Sequence, residues 1–255
     1  MKALITGASS GIGRDMAKEL AKRGHSVILV ARDNKKLEEV AEEIKNNYKV
    51  EVKVIQKDLS NKQNCINLYN EVKNENIDIL INNAGFGVHG NFAETDLDKE
   101  INMLDTNVMA VHILMKLFLQ DMVKRNSGKI LNVSSMAAFA PGPLMAGYYS
   151  SKAYVYRLSE CVKTELKMAK SNVKISVLCP GPVRTNFNKV ANVNFAAPSL
   201  SSDVVAKYAI KKMLKGKFTI VPGNLMKITR FFEKILPHNW VSYLSYLVNY
   251  RKSEK

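Results

Sequence analysis

The feature that most constrains this chain is a turn. An apolar run, Leu4-Ile5-Thr6, breaks into Gly7-Ala8-Ser9-Ser10-Gly11-Ile12-Gly13, and a helical pattern through Met16, Leu20 and Ala21 follows at once. Gly7 permits the sharp turn. Gly11 lets backbone approach a bound phosphate, and Gly13 lets helix and strand pack closely. A helix that opens there presents free N–H groups and the positive end of its dipole to an anion. Strand, glycine turn and helix in this order predict a βαβ unit whose first turn, with Ser9, Ser10 and Ile12, holds the pyrophosphate of a dinucleotide.

The rest of the chain repeats that alternation. Val27 to Val30 is a continuous β-branched and apolar run, as a strand buried on both faces requires. Further strands are predicted at Val50–Ile55, Ile77–Ile81, Ile130–Val133, Val173–Leu178 and Phe218–Val221, with helical spacing between them. Long helices are predicted near Glu100–Lys124 and Tyr148–Met168. Strands separated by helices imply right-handed crossovers and a parallel sheet. The expectation is an α/β, doubly wound fold of about seven strands, one domain over residues 1–223, with a helical extension over 224–255. Apolar residues at 46% and charged residues at 24% exclude a disordered or fibrous chain. Cys65, Cys161 and Cys179 have neither disulfide nor metal-ligand spacing, and the four histidines are scattered, so no metal is expected and a reducing compartment is. No leader segment is read before Lys2, which implies a cytoplasmic protein.

Several further motifs stand in sequence order. Asp58-Leu59 closes the third strand, and Asn82-Asn83-Ala84-Gly85 closes the fourth. Asn107 lies on the following helix, Ser135 follows the fifth strand, and Tyr148 and Lys152 stand four apart. Pro180-Gly181-Pro182-Val183-Arg184-Thr185 follows the sixth strand. The glycines are spaced three then one, unlike the commonest Rossmann fingerprint. In that spacing and in these marks, the chain from about Lys2 to Val221 resembles the short-chain dehydrogenase/reductase family. The resemblance implies a Rossmann-type sheet in the order 3-2-1-4-5-6-7. It implies Asn107, Ser135, Tyr148 and Lys152 as the catalytic set, with Asn107 holding a water chain to Lys152. It also places Asp58 and Leu59 at the adenine, Asn83, Ala84 and Gly85 along the cofactor, and Pro180, Gly181, Val183 and Thr185 on the nicotinamide side. It implies a homodimer or homotetramer paired through the long helices.

The Tyr-Lys pair also has a physical reading. Spacing of four puts both side chains on one helix face, one turn apart. A tyrosine at its ordinary pKa near 10 exchanges protons poorly at neutral pH. A nearby ammonium favours the phenolate, which tunes Tyr148 to pass a proton to or from a carbonyl oxygen. Ser135 is positioned to hydrogen-bond the same oxygen. Ser134 and Tyr149 are the neighbouring alternatives, and the intervals favour Ser135 and Tyr148. Just after the second strand stands Arg32, with no acid at the first position and Asp33 following. That favours NADP(H) over NAD(H), although Ser10 stands where many NADP-preferring members carry a basic residue.

The substrate side reads as apolar. Phe139, Ala140, Pro141, Leu144 and Met145 lie between Ser135 and Tyr148 with no charge among them. Asn186 to Leu200, with Phe187, Val190, Val193, Phe195, Ala196 and Ala197, reads as a variable lid. The expected substrate is a small-molecule apolar ketone, aldehyde or alcohol. A non-catalytic dinucleotide-binding regulator is the alternative, as is a peripheral membrane reductase of lipid-like substrates; no nucleic acid partner is expected.

The last fifth of the chain is distinctive. Val205 to Lys255 holds 11 basic and 2 acidic residues of a chain whose net charge is +15. Leu225, Ile228, Phe232, Ile235 and Leu236 recur at helical spacing up to Pro237. Asn239 then reads as the cap of a second helix striped by Trp240, Tyr243, Leu244, Leu247 and Val248. Two readings stand. The favoured one packs these stripes over the pocket or against a second subunit. The other lays a basic, aromatic helix on a membrane surface.

Overall fold

The computed structural model describes residues 1–185, 187, 199–233 and 235–250. Strands β1 (Lys2–Thr6), β2 (Ser26–Ala31) and β3 (Val52–Gln56) alternate with helices α1 (Gly11–Lys22), α2 (Asn34–Asn47) and α3 (Lys62–Val72). After β4 (Ile79–Asn82) come α4 (Leu97–Leu104), a π-helical turn over Asp105–Met109, and α5 (Ala110–Lys124). Then follow β5 (Lys129–Val133), a 3₁₀ turn over Met136–Phe139, α6 (Ala146–Met168) and β6 (Lys174–Leu178). The chain continues through β7 (Val183–Arg184), β8 (Leu200–Ser201), α7 (Ser202–Leu214) and β9 (Thr219–Ile220). Two tail helices, α8 (Asn224–Glu233) and α9 (His238–Tyr250), complete it.

The main sheet has the strand order β3-β2-β1-β4-β5-β6-β9 and is parallel throughout. This is the expected seven-stranded doubly wound order. Its last strand is β9 because β7 and β8, which the sequence did not announce, pair in a separate two-stranded ribbon. The side-chain period of two divides the core between the two sheet faces. Ile5, Leu29, Ile81 and Leu131 join the cluster under α1, α2 and α7. Their neighbours Leu4, Ile28, Leu80 and Ile130 join the cluster under α3, α5 and α6. A continuous apolar run is therefore what each central strand needs.

The strand order reverses between β1 and β4, and a crevice opens at the carboxyl ends of those strands. Buried polar links hold this edge together. Asn82 Nδ2 donates to Asn132 Oδ1 at 2.8 Å, and Asn132 Nδ2 donates to Ser159 Oγ at 2.9 Å, joining β4, β5 and α6.

The helix expected over Glu100–Lys124 begins earlier, at Leu97, with the Asp96 side chain accepting from the Lys99 N–H at 2.8 Å. It is also interrupted by the π turn at Asn107. One extra residue in a turn re-aims the side chain there, and Asn107 points into the protein with no exposed surface. Of the expected lid, Val190, Val193, Phe195, Ala196 and Ala197 lie outside the described residues.

The tail differs from expectation in two ways. α9 starts at His238, so Asn239 lies inside its first turn. The Pro237 carbonyl accepts from the N–H groups of Trp240 (3.0 Å) and Val241 (3.2 Å). Much of the apolar stripes is also exposed, at Leu225, Ile228, Phe232, Ile235, Trp240, Tyr243, Leu244 and Val248, although Phe232, Leu236, Leu244 and Val248 line the crevice as well. Polar side chains also face the body. The Arg230 guanidinium sits 4.4 Å from the Phe139 ring centre and donates to the Tyr156 hydroxyl at 3.2 Å. Asn249 is fully buried, donates to the Pro143 carbonyl at 2.9 Å, and bonds His89 Nε2 through its own carbonyl at 3.1 Å. Desolvated polar groups need such partners, and each fixes one geometry.

Candidate active site

The crevice floor is built from the turns after β1 and β4, locked together by one hydroxyl. Thr6 Oγ1 accepts from the N–H groups of Asn83 (2.9 Å) and Ala84 (3.0 Å) and donates to the Ile81 carbonyl at 3.4 Å. Asn83 Nδ2 returns a bond to the Thr6 carbonyl at 3.0 Å. Gly7 and Gly11 hold left-handed φ angles of 65° and 53°, which side chains disfavour. Ser10 precedes α1 in extended backbone and makes no side-chain cap, so the first N–H groups of α1 stay open to an anion.

A cleft of about 1100 Å³ runs over this floor. It is lined by Gly7, Ser9, Ser10, Gly11, Ile12, Arg32, Asp58, Leu59, Asn83, Ala84, Gly85, Ser135, Tyr148, Lys152, Pro180, Gly181, Val183 and Thr185. Of the residues expected in the catalytic set or along the cofactor, Gly13 and Asn107 alone do not line it; both stand behind its wall. A β-carbon on Gly13 would collide with the Gly7 carbonyl oxygen, so that glycine lets α1 meet β1. Asn107 donates to the Phe86 carbonyl at 2.9 Å and to Ser151 Oγ at 3.1 Å, and accepts from the Phe86 N–H at 3.0 Å. It ties the turn after β4 to α6. A β-carbon on Gly85 would stand 2.6 Å from Asn107 Oδ1 and 3.2 Å from Lys152 Nζ, so the bare glycine keeps a path between them.

The neighbouring alternatives are separated by their contacts. Ser134 is buried and donates to the backbone carbonyl of Lys152 at 2.8 Å. Ser135 caps the 3₁₀ turn, accepting from the Ala137 N–H at 3.1 Å, and its hydroxyl reaches Tyr148. The Tyr149 hydroxyl turns away to Asn249 Oδ1 at 3.4 Å. Tyr148 packs with Met145, Tyr149 and Phe187, its ring centre 5.4 Å from that of Phe187.

The electrostatics correct one expectation. Burial pushes the Tyr148 phenol up to about 12, the hydrogen bond with Ser135 pulls against that, and Tyr149 adds to it. Burial takes Lys152 down to about 8. The lysine does not lower the tyrosine here because its Nζ is 5.8 Å from the ring centre and donates to the Val133 carbonyl at 3.1 Å. Removing a phenolate from water outweighs a partner at that distance.

At the far end, Arg32 is joined by two residues that sequence reading missed, Lys36 and Lys57. Arg32, Lys57 and Asp58 also border an adjoining hollow of about 410 Å³. Asp33 caps α2, accepting from the Lys36 N–H at 3.1 Å and pairing with Lys36 Nζ at 2.7 Å. Its carboxylate is thereby engaged. Lys57 immediately before Asp58 and Lys36 in the first turn of α2 were the available signals.

The substrate end was read only in part. Ala140 and Met145 line the cleft, whereas Phe139, Pro141 and Leu144 do not; Phe139 packs on Tyr156 instead. The tail supplies a wall of the cleft: Phe232, Leu236, Leu244 and Val248 of its apolar stripes line it, together with Met226, Thr229, Glu233 and Val241. Gly181 lets the tail in: a β-carbon there would strike Met226. Nor is the chamber free of charge. Burial pushes Glu233 up to about 7 against the pull of Arg230, and its Oε2 has no hydrogen-bond partner.

Comparisons agree with this geometry. The model of the short chain dehydrogenase family matches residues 1–195. A very-long-chain 3-oxoacyl-CoA reductase of Anas platyrhynchos is 37% identical over 205 residues, covering 77% of this chain and 64% of the relative. The chain thus spans just under two thirds of that protein. The reductase of the same name in Rattus norvegicus is 32% identical over 260 residues, covering 98% of this chain and 80% of the relative. Among solved structures, a short-chain dehydrogenase from Sphingobium yanoikuyae in complex with NADPH superposes with a TM-score of 0.82 at 27% identity, over 92% of this chain and 96% of that one.

Proposed function

The chain belongs to the short-chain dehydrogenase family, and on that premise we propose that it is an NADP(H)-preferring oxidoreductase that reduces a carbonyl on an apolar, lipid-like molecule, reversibly. One observation carries the reading. A single cleft joins an anion-ready glycine turn to an apolar chamber, and Ser135, Tyr148 and Lys152 line it together.

The cleft fits the cofactor on its own features. The uncapped start of α1 suits a pyrophosphate, held by Gly7, Ser9, Ser10, Gly11 and Ile12. Arg32, Lys36 and Lys57 suit a 2′-phosphate, and Asp58 and Leu59 the adenine. Asn83, Ala84 and Gly85 would follow the ribose, with Pro180, Gly181, Val183 and Thr185 beside the nicotinamide. When bound, NADPH supplies the hydride.

The protein's own groups handle the proton. Tyr148 Oη donates to the developing alkoxide, and Ser135 Oγ hydrogen-bonds the same oxygen. A phenol held up near 12 by burial stays protonated at neutral pH and arrives as the acid. Lys152, also buried, holds its proton close to Gly85 and the cofactor path. Asn107 is a positioning residue that sets the turn after β4 against α6.

The relatives named very-long-chain 3-oxoacyl-CoA reductase support a long acyl chain next to the reacting carbonyl. The test is NADPH consumption by the purified chain with a short ketone, a long-chain ketone and a long-chain 3-oxoacyl thioester. Turnover that rises with chain length, and runs faster with NADPH than NADH, is expected. Cofactor binding without turnover on any carbonyl would instead favour a regulator on this fold.

A further inference from the structure

Both tail helices leave large apolar side chains in solvent. Ile228 (54% exposed), Phe231 (60%), Ile235 (63%), Trp240 (68%) and Tyr243 (64%) project from α8, α9 and their junction. Leaving so much apolar and aromatic surface in water on two neighbouring helices is costly, and exposed apolar patches mark docking sites. Inward polar contacts hold the helices in this pose, chiefly Arg230 on Phe139 and Tyr156, and Asn249 on Pro143. The outward face is therefore the one these helices present.

Charge identifies the occupant. Between Val205 and Tyr250 the only acidic residue is Glu233, which lines the cleft, while Lys207, Lys211, Lys212, Lys215 and Lys217 precede the stripes in sequence and Lys227 lies within the first. A second copy of this chain would bring two surfaces of like sign together. An anionic lipid surface offers the opposite charge and an apolar layer beneath it. No helix among the described residues is long and apolar enough to cross a bilayer, so contact lies in the interface plane. The cleft opens here as well: Phe232, Leu244 and Val248 line it and are also exposed.

We propose that α8 and α9 dock the protein on an anionic bilayer, with the cleft mouth against the lipid, so that an apolar substrate enters from the acyl layer. The docking stands alone, whereas the entry route rests on the carbonyl-reductase reading above.

The chain's single tryptophan, Trp240, reports directly. With the full-length protein and vesicles of mixed phosphatidylglycerol and phosphatidylcholine, Trp240 emission is expected to shift to shorter wavelength. The protein should sediment with those vesicles, far less with phosphatidylcholine alone, and less as salt is raised. The double variant Ile228→Glu/Phe231→Glu is expected to lower vesicle partition by about tenfold or more. It should keep its turnover on a short, water-soluble ketone, because neither residue lines the cleft. Its KM for a long-chain ketone presented in anionic vesicles should rise, and an unchanged KM would overturn the entry route.

Absence of both the Trp240 shift and co-sedimentation in the wild-type protein overturns the docking. So does a concentration-dependent doubling of mass that removes the shift, since a second copy would then be the occupant. If the double variant fails to fold, quenching of wild-type Trp240 by brominated lipids decides the matter. Full turnover on long-chain ketones without vesicle binding removes the docking and spares the reductase reading. Vesicle binding without turnover on any carbonyl does the reverse.

Discussion

Lys152 stands with its Nζ 5.8 Å from the centre of the Tyr148 ring, yet its hydrogen bond goes to the Val133 carbonyl at 3.1 Å. The helix that pairs the two residues also buries the charge. Lys152 is 5% exposed, and burial brings its pKa from 10.5 to about 8. Between those values the unfolded chain binds more protons than the folded one, so stability rises with pH across the window. The penalty is fully present below about 8 and gone above 10.5. Its size is on the order of 3 kcal/mol. Lys152→Met leaves the Val133 carbonyl unsatisfied, which returns about 1 kcal/mol of that. The variant is expected to be more stable than wild type near neutral pH by about 2 kcal/mol, with the gap closing as pH rises through the window. Denaturant midpoints of both proteins at the two pH values check this, and a gap independent of pH would refute it.

Tyr148→Phe keeps the ring that packs on Phe187 and removes only the proton. Its kcat/KM for carbonyl reduction is expected to fall by about 3 kcal/mol or more in transition-state terms. Cofactor affinity, measured by titration, should stay close to wild type. Turnover near that of wild type would take the proton-donor role away from Tyr148.

Glu233 is expected to make the proposed substrate chamber pH-sensitive. Burial lifts its carboxyl to about 7, so it is neutral below that value and charged above it. A charge appearing in an apolar chamber opposes an apolar ligand, because the ligand strips its water. KM for a long-chain ketone should therefore rise a few-fold as pH climbs through about 7, and Glu233→Gln should flatten the profile. Identical profiles for the two proteins would remove Glu233 from the chamber's chemistry.

Arg32→Asp replaces an attractive charge with a repulsive one at the proposed 2′-phosphate end. The ratio of kcat/KM with NADPH to that with NADH should drop by about tenfold or more. Lys36 already pairs with Asp33, and Lys57 pairs with Glu71 at 3.2 Å, so Lys36→Ala and Lys57→Ala should move the ratio less. A ratio unmoved by Arg32→Asp would show that the phosphate is read elsewhere.

Gly13→Ala pushes a methyl group into the Gly7 carbonyl and Asn83 Nδ2. Backbone on one side and a hydrogen-bonded amide on the other leave little room to relax. The variant should lose about 2 kcal/mol or more of stability, read from its denaturant midpoint. A neutral effect would mean that α1 can move away from β1 without cost.

Much of this protein was legible in its residues because the relevant order is local. The apolar runs at Val27–Val30 and Ile130–Val133 and the turn at Gly7–Gly13 specify strands and a crossover within a few residues of themselves. The spacing of Tyr148 and Lys152 puts them on one helix face whatever surrounds that helix. The family's order of motifs then located Ser135 and Asn83, which lie together in the cleft only after folding.

What the sequence by itself determined was therefore the doubly wound sheet, its glycine turn and the residues that line the cleft around it. The tertiary structure decided the rest, because each remaining feature depends on what a side chain meets across the fold. Helical spacing shows that Ile228 and Ile235 share a face, but not that Arg230 and Asn249 would take the inward side and turn that face to solvent. Lys36 and Lys57 converge with Arg32 only where α2 starts and β3 ends. The pKa values of Tyr148, Lys152 and Glu233 follow from burial, a property of the whole packed chain.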